Sequence, residues 1–384
     1  MNDKKKKIIR ISTVPESLNG FYKYFFKDLQ ENEGYEVVAV SSPLKELEEI
    51  RYREGVKTIA VPMERHISPF KDLVSLYRLI KVFHREKPKM VHSITPKAGL
   101  LSMIAAWLTR VPVRLHTFTG LVFPTASGLK QKILILTDKI TCACASHITP
   151  EGEGVKNDLQ KFNITKKPLK VLGYGNIKGI DLNYFNPEDE DTNCKALPIR
   201  DNNLFTFIFI GRLVGDKGIN ELVEAFSRLH KEIPATRLIL VGPREENLDP
   251  LKPETLTEIQ TNNAIIETGS QNDVRPWLLA SDALVFPSYR EGFPNVVIEA
   301  GAMGLPSIVT DINGSREIII EGENGSIIPS KDIVALYTSM KEMILNEDKR
   351  HEMALKARNL VASRYEQSFV RGKLKEFYKE LLNS

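Results

Sequence analysis

The sequence predicts an α/β protein built as two doubly wound, parallel-sheet domains facing a cleft. Three observations carry that expectation. Short apolar, β-branched runs alternate with segments of helical period along the whole chain, and continuous apolar strands that alternate with helices belong to parallel sheets covered on both faces. In the second half most of these runs stop at Gly, Pro or Ser, where a chain turns from strand into helix. The 384 residues, 42% of them hydrophobic, suffice for two cores of ordinary size.

In order, the runs 8–13, 36–42, 56–61, 89–94, 112–118, 140–147 and 169–172 read as strands of the first half. Amphipathic stretches at 70–86 and 97–109 read as helices between them. The second half repeats the plan with FTFIFIG (205–211), TRLILVG (236–242), AIIET (264–268), DALVFPS (282–288) and LPSIVT (305–310). The break falls in the polar, acidic, turn-rich stretch 176–203. Domains are accordingly expected at 1–180 and 200–365, with 181–199 as linker. A charged helix pattern over 366–384, beginning after Tyr365, is expected to pack back on the first domain.

Composition narrows the function classes. The 23 Gly and 21 Pro are too few for a low-complexity or collagen-like chain. No run approaches 18 consecutive apolar residues, so no membrane-spanning helix is expected. MNDKKKKIIR is basic but lacks the apolar core and cleavage site of a secretory signal. Three cysteines exclude a disulfide framework and fit a reducing cytoplasm. Net charge is +4, yet residues 1–180 hold 30 Lys/Arg against 17 Asp/Glu, and the remainder 23 against 32. A basic first half suits an acidic polymer, an anionic bilayer or a phosphorylated substrate.

Ligands of open α/β sheets bind at the carboxyl ends of strands, and three loops of the second half are placed there. In FIFIGRLVGDKG (207–218) Gly211 closes a strand, and Arg212 and Lys217 straddle the turn into a helix near Gly218. Two cations at a helix amino terminus form a phosphate site. In LVGPREEN (240–247) Gly242 lets a ligand approach the backbone closely. In FPSYREGFPNVVIEAGAMGLP (286–306) Pro294 suits the first turn of a helix running to about Met303. Glu291 precedes that helix and Glu299 lies on it, so two carboxylates can hold hydroxyls of one elongated ligand.

Taken together, GRL…DKG, SYREGFPNVVIEAGAMGLP and TDINGSREII resemble the retaining glycosyltransferases of family four, which have the GT-B fold. The Glu-x7-Glu signature matches at Glu291 and Glu299, and the similarity covers nearly the whole chain. Within that family the chain is most similar to bacterial enzymes that build lipid-linked oligosaccharides, capsule or O-antigen. The resemblance implies an acceptor-binding first domain and a nucleotide-sugar-binding second domain. It implies that Arg212 and Lys217 bind the donor diphosphate, that Glu299 holds the ribose, and that Glu291 contacts the donor sugar. Amides near Phe293, Asn295, Val296 and Val297 would help, while Pro294 cannot donate. Gly211, Gly242 and the loop around Ser270 would line the donor site, with uridine as the base.

The family's Gly-rich loop after the first strand is reduced here to VPESLNGFY (14–22), so Gly20 is either a donor contact or a simple turn. In RLHTFTG (114–120), His116 matches the family's acceptor-domain histidine and would contact the transferred sugar or position the acceptor. His92 and Lys97, in MVHSITPKAG (90–99), either meet an acceptor phosphate or serve the fold. Cys142 and Cys144 lack a second ligand pair and read as alternating strand residues in a core. In the helix pattern at 70–86, Leu73, Leu76, Tyr77, Ile80 and Phe83 form the apolar face. Lys71, Arg78, Lys81 and Arg85 share an arc of roughly 80° with Val74 and Val82, a face suited to an anionic membrane or to solvent.

The expected function is transfer of a sugar from a nucleotide-diphosphate donor, a UDP-sugar, to a hydroxyl of a polyprenyl-diphosphate-linked saccharide, with retention of configuration, in bacterial surface polysaccharide assembly. Catalysis is expected to be largely electrostatic. No Asp-x-Asp motif stands at a strand end, so neither a metal ion nor another cofactor is expected. Expected partners are the nucleotide sugar, the lipid-linked or saccharide acceptor and an anionic membrane surface, with no nucleic acid; the chain is expected on the cytoplasmic, inner face of the plasma membrane. The rivals are a UDP-sugar epimerase of the same fold and a non-catalytic sugar-binding scaffold module.

Overall fold

The computed structural model describes residues 5–64, 66, 68–245 and 249–383. The chain divides into one unit of Met1–Gly179 with Ser368–Ser384 and a second of Ile180–Gln367. In the first unit β1 (Lys7–Ile11), β2 (Glu36–Ser41), β3 (Lys57–Ala60), β4 (Met90–Ile94), β5 (Val113–Phe118) and β6 (His147–Pro150) form one sheet, ordered β3-β2-β1-β4-β5-β6. Every pairing is parallel. The intervening helices are α1 (Pro15–Tyr22), α2 (Phe25–Glu31), α3 (Lys45–Glu54), α4 (Pro69–Glu86), α5 (Pro96–Leu108), α6 (Gly128–Cys144) and α7 (Glu153–Lys161).

Both faces of this sheet are covered, which is why its strands are apolar at nearly every position. Alternate residues serve opposite cores: Ile9, Val38, Val91 and Phe118 on one side, Ile8, Val37, Met90 and Leu115 on the other. Arg10 is the exception, a fully buried cation in the middle of β1.

The second unit opens with α8 (Glu190–Ala196) and holds β7 (Phe205–Ile210), α9 (Ile219–Glu232), β8 (Thr236–Val241), α10 (Pro253–Thr261), β9 (Ile265–Gly269), α11 (Arg275–Leu279) and β10 (Ala283–Phe286). There follow α12 (Asn295–Ala302), β11 (Ser307–Thr310), α13 (Ser315–Ile318), β12 (Gly325–Ile328), α14 (Ile333–Leu345) and α15 (Glu347–Tyr365). Its parallel sheet is ordered β12-β11-β10-β7-β8-β9. The last helix, α16 (Gln367–Asn383), belongs to the first unit from Ser368 onward. In each sheet the strand order reverses beside the first strand, between β1 and β4 and between β7 and β10.

Five local expectations are corrected. Residues 140–144 complete helix α6, and the strand begins only at His147. Cys142 and Cys144 therefore stand on a helix, two residues apart and on different sides: Cys142 is buried and Cys144 half-buried. Residues 169–172 form no strand of the sheet; Leu169 makes a single bridge to Ile148. VPESLNGFY is helical from Pro15, so Gly20 lies in α1 and not in a loop. The buried face of α4 is Ser75, Leu79, Val82, Phe83 and Glu86, while Leu73 and Tyr77 are exposed; the packing stripe is rotated from the one the apolar residues suggest, because Phe70, Leu73, Val74 and Tyr77 all face outward.

Candidate active site

The point where strand order reverses in the second sheet lies between β7 and β10, the place where open α/β sheets bind their ligands. The chain leaving β7 passes Gly211 and Arg212, makes a short 3-10 turn at Gly215–Lys217, and enters α9. The chain leaving β10 runs through Pro287–Gly292 to Pro294, which caps α12 from just outside the helix. Close approach of the two connections depends on Gly218. Its φ is +72°, and a Cβ there would overlap the Pro287 carbonyl, whose carbon would be 2.9 Å away.

Three contacts then clamp the connections together. Tyr289 N donates to the Asp216 carbonyl at 2.9 Å, Arg290 pairs with Asp216 at 3.1 Å, and Lys217 Nζ pairs with Glu291 Oε1. Glu291 Oε1 also accepts from Ser288 Oγ at 2.9 Å, and the Ser288 carbonyl accepts from Thr310 Oγ1 on β11. Lys217 and Glu291 are thus direct partners across 74 residues of sequence, both largely shielded from water. Sequence reasoning named both but not their pairing, and missed Ser288, Thr310, Asp216 and Arg290. The available signal was a serine at the end of an apolar strand, in FPSYREG.

Arg212 has a different partner. Its Nη1 donates to Glu245 Oε2 at 2.6 Å, and its side chain is more exposed than that of Lys217. Behind it Gly211 and Gly242 press backbone to backbone: at φ +141°, a Cβ on Gly242 would overlap the Gly211 carbonyl, with its carbon 2.7 Å away. Gly242 N donates to the Gly269 carbonyl at 2.9 Å, which brings the end of β9, and Ser270 after it, beside the same backbone. Residues 246–247 of LVGPREEN lie outside the described residues. Glu299 stands one turn into α12, half-buried. Asn295 and Val296 supply first-turn amides, which precede the helix's internal bonding. Phe293 turns its ring into the core, 5.6 Å from that of Tyr365, so only its backbone faces the loop.

In the first unit His116 lies within β5 and is 1% exposed. Its Nδ1 and Ser93 Oγ share a hydrogen bond of 2.8 Å, and its ring packs edge-on to Phe118. Burial pushes its pKa down to about 3, against a smaller opposing effect of Ser93, so the imidazole is neutral near neutral pH. It is held against α5 at Gly99, which has no side chain to displace it. His92 is buried in a polar network: Nε2 bonds Thr117 Oγ1 at 2.7 Å, and Nδ1 meets Tyr378 Oη at 2.6 Å and Arg10. Burial, then the Arg10 charge, hold it well below the ordinary histidine range. Lys97 opens α5 and is held by Asp72 at 2.8 Å. Gly20 is exposed in α1 with open space around it. Among the described residues no cluster of three or more His, Cys, Asp or Glu is arranged to hold a metal ion.

Residues 191–360 match the family model described as glycosyl transferases group 1, and residues 28–175 match a glycosyl transferase 4-like domain. The chain is 31% identical over 383 residues to the Staphylococcus aureus capsular polysaccharide biosynthesis glycosyltransferase CapM, covering 99% of this chain and 98% of that one. It is 32% identical over 288 residues to an Escherichia coli UDP-Gal:alpha-D-GlcNAc-diphosphoundecaprenol alpha-1,3-galactosyltransferase, 73% of each chain. A similar solved structure is Anabaena Alr3699/HepE in complex with UDP, with TM-score 0.79 at 16% identity over 98% of this chain and 100% of that one. At that identity the likeness speaks for the fold, which is GT-B.

Proposed function

The chain belongs to the group 1 glycosyl transferases, and on that premise we propose that it moves a hexose from a UDP-sugar to a hydroxyl of a polyprenyl-diphosphate-linked saccharide, with retention, during assembly of a bacterial surface polysaccharide. The capsular relative, and the Escherichia coli relative whose name contains both UDP-Gal and a diphosphoundecaprenol acceptor, support donor and acceptor classes. The observation that carries the reading is the Lys217–Glu291 pair at the carboxyl end of β7 and β10, beside the start of α12.

Diphosphate departure needs cations and amide donors where negative charge develops. Lys217, Arg212 and the first-turn amides of α12 supply them. In the structure both cations rest on carboxylates, Lys217 on Glu291 and Arg212 on Glu245. A diphosphate would take over the cations in exchange for those partners, which frees Glu291 to accept hydroxyl hydrogens of the sugar. Glu299, farther along α12, would hold the ribose, and Gly242 and Ser270 would lie by the base. The neutral His116 would act by hydrogen bonding on the transferred sugar or the acceptor and not as a cation.

We place the chain on the inner face of the plasma membrane as a peripheral protein. Support comes from the basic first 180 residues. Among the described residues no helix is long and apolar enough to cross a membrane. The test incubates the protein with a panel of nucleotide sugars and a polyprenyl-diphosphate saccharide and reads the product by NMR. UDP release coupled to an axial-to-axial product is expected. An inverted product would remove the retaining assignment, and an epimerised nucleotide sugar formed without acceptor would overturn the transferase reading.

A further inference from the structure

Helix α6 is apolar on two opposite sides. Leu134, Ile135 and Cys142 pack into the first unit. Leu129, Ile133, Leu136 and Ile140 recur at i, i+4, i+7 and i+11, which at ~100° per residue places them within an arc of roughly 60°, on the side away from that core. All four are exposed, Leu129 at 75% and Leu136 at 57%. Single exposed leucines are ordinary, but an ordered exposed apolar stripe rimmed by polar residues marks an interaction surface.

Charge identifies the cover. Lys132 and Lys139 flank one edge of the stripe and Lys130 the other; among the described residues none of the three has an ion-pair partner, and all are exposed. The helix's one acid, Asp138, projects to the opposite, packed side, where burial raises its carboxyl to about 7. A second copy laid face to face on the stripe would oppose lysine to lysine. Helix α4 offers less: Lys71 is paired with Glu64 and Arg85 with Glu86. We propose that α6 is the element that lies on an anionic bilayer, with its leucine–isoleucine stripe in the headgroup boundary and Lys132 and Lys139 on lipid phosphates. This rests on the peripheral placement proposed above and assigns it a surface.

The experiment is co-sedimentation of the full chain with phosphatidylglycerol–phosphatidylcholine vesicles and with phosphatidylcholine alone. Four proteins are compared: wild type, Lys132→Gln/Lys139→Gln, Leu129→Ser/Leu136→Ser, and Arg78→Gln/Lys81→Gln on α4. Each lysine removed is expected to weaken binding to anionic vesicles about fivefold, from ~1 kcal/mol per surface cation, so about 25-fold for the pair. The serine variant should lose at least tenfold on both vesicle types, and the α4 variant less than either. Should the serine variant unfold on a melting curve, the lysine variant, which removes only exposed charge, still decides. Retained binding in the α6 variants with loss in the α4 variant would overturn α6 while leaving the peripheral placement standing. Absence of binding for all four would overturn both. A concentration-dependent dimer in ultracentrifugation that Leu129→Ser/Leu136→Ser abolishes, with lipid binding unchanged, would make the stripe a self-association face and overturn the proposal.

Discussion

Replacing Gly218 by alanine should damage the second unit in a way that its neighbours' contacts make calculable. Two costs combine. An L-residue held at φ +72° costs about 1–2 kcal/mol. The added methyl also overlaps the Pro287 carbonyl, and overpacking against atoms that cannot rotate away adds about 1–3 kcal/mol. The sum is about 2–5 kcal/mol. Gly269→Ala isolates the first cost, since φ is +67° with nothing within 4 Å of the new carbon; about 1–2 kcal/mol is expected. Gly20→Ala carries neither cost: it sits in α1 with open space, and a helical Gly→Ala change stabilises by about 0.5–1 kcal/mol. Urea unfolding at constant m gives the three values. Because Pro287 starts the connection that carries Glu291, Gly218→Ala should also lose roughly 100-fold in kcat/KM, the scale of a 1 Å misplacement. If Gly218→Ala is no less stable than Gly269→Ala, the contact argument fails; if it turns over at the wild-type rate, the position of that connection does not matter to catalysis.

Arg212→Ala and Lys217→Ala should each lose about 10–150-fold in kcat/KM, from ~1.5–3 kcal/mol per charge-assisted contact, while remaining folded; near-normal turnover in either removes it from the diphosphate site. Glu299→Gln should weaken UDP in calorimetry more than Glu291→Gln does, and the reverse order would exchange their roles. At His116 the folded protein resists protonation, so below pH 6.5 the unfolded chain binds more protons. Its contribution is therefore intact above 6.5 and is lost as pH falls toward 3, by about 1.4 kcal/mol per unit. The stability gap between wild type and His116→Gln, measured by urea unfolding at pH 7.5 and 5.5, should narrow at the lower pH; a constant gap would contradict a neutral buried imidazole. Turnover should persist in excess chelator, and full loss restored by magnesium or manganese would show that an ion is needed.

The strands that were legible are those covered on both faces. FTFIFI and EVVAVS carry continuous apolar signal because two helix layers pack on each sheet. Helix α6 misled for the complementary reason: with apolar residues on its inner and outer sides, 140–144 loses helical period and reads as strand. On α4 the exposed Leu73 and Tyr77 drew the predicted packing face toward themselves, away from Leu79 and Val82. Strand β12, GSII, is short and starts at glycine, too little signal to find. At the site, Lys217 and Glu291 were visible as types in a recognisable run. Their partnership was not, because it is created by the parallel pairing of β7 with β10, a contact between segments that share no local pattern.

Helix α16 gives the first unit a late-arriving part. Tyr378, on α16, reaches His92 and the buried Arg10 across 286 and 368 positions of sequence. Residues 180–367 must leave the ribosome before it does, roughly 10–40 s of synthesis at about 5–20 residues per second. Throughout that interval Phe25, Phe26 and Leu115 lack the cover that Leu374 and Phe377 later provide, and Arg10 lacks the hydroxyl of Tyr378. The nascent first unit therefore exposes apolar surface until α16 arrives, and a protein tag fused directly after Ser384 would burden the one segment on which its completion waits.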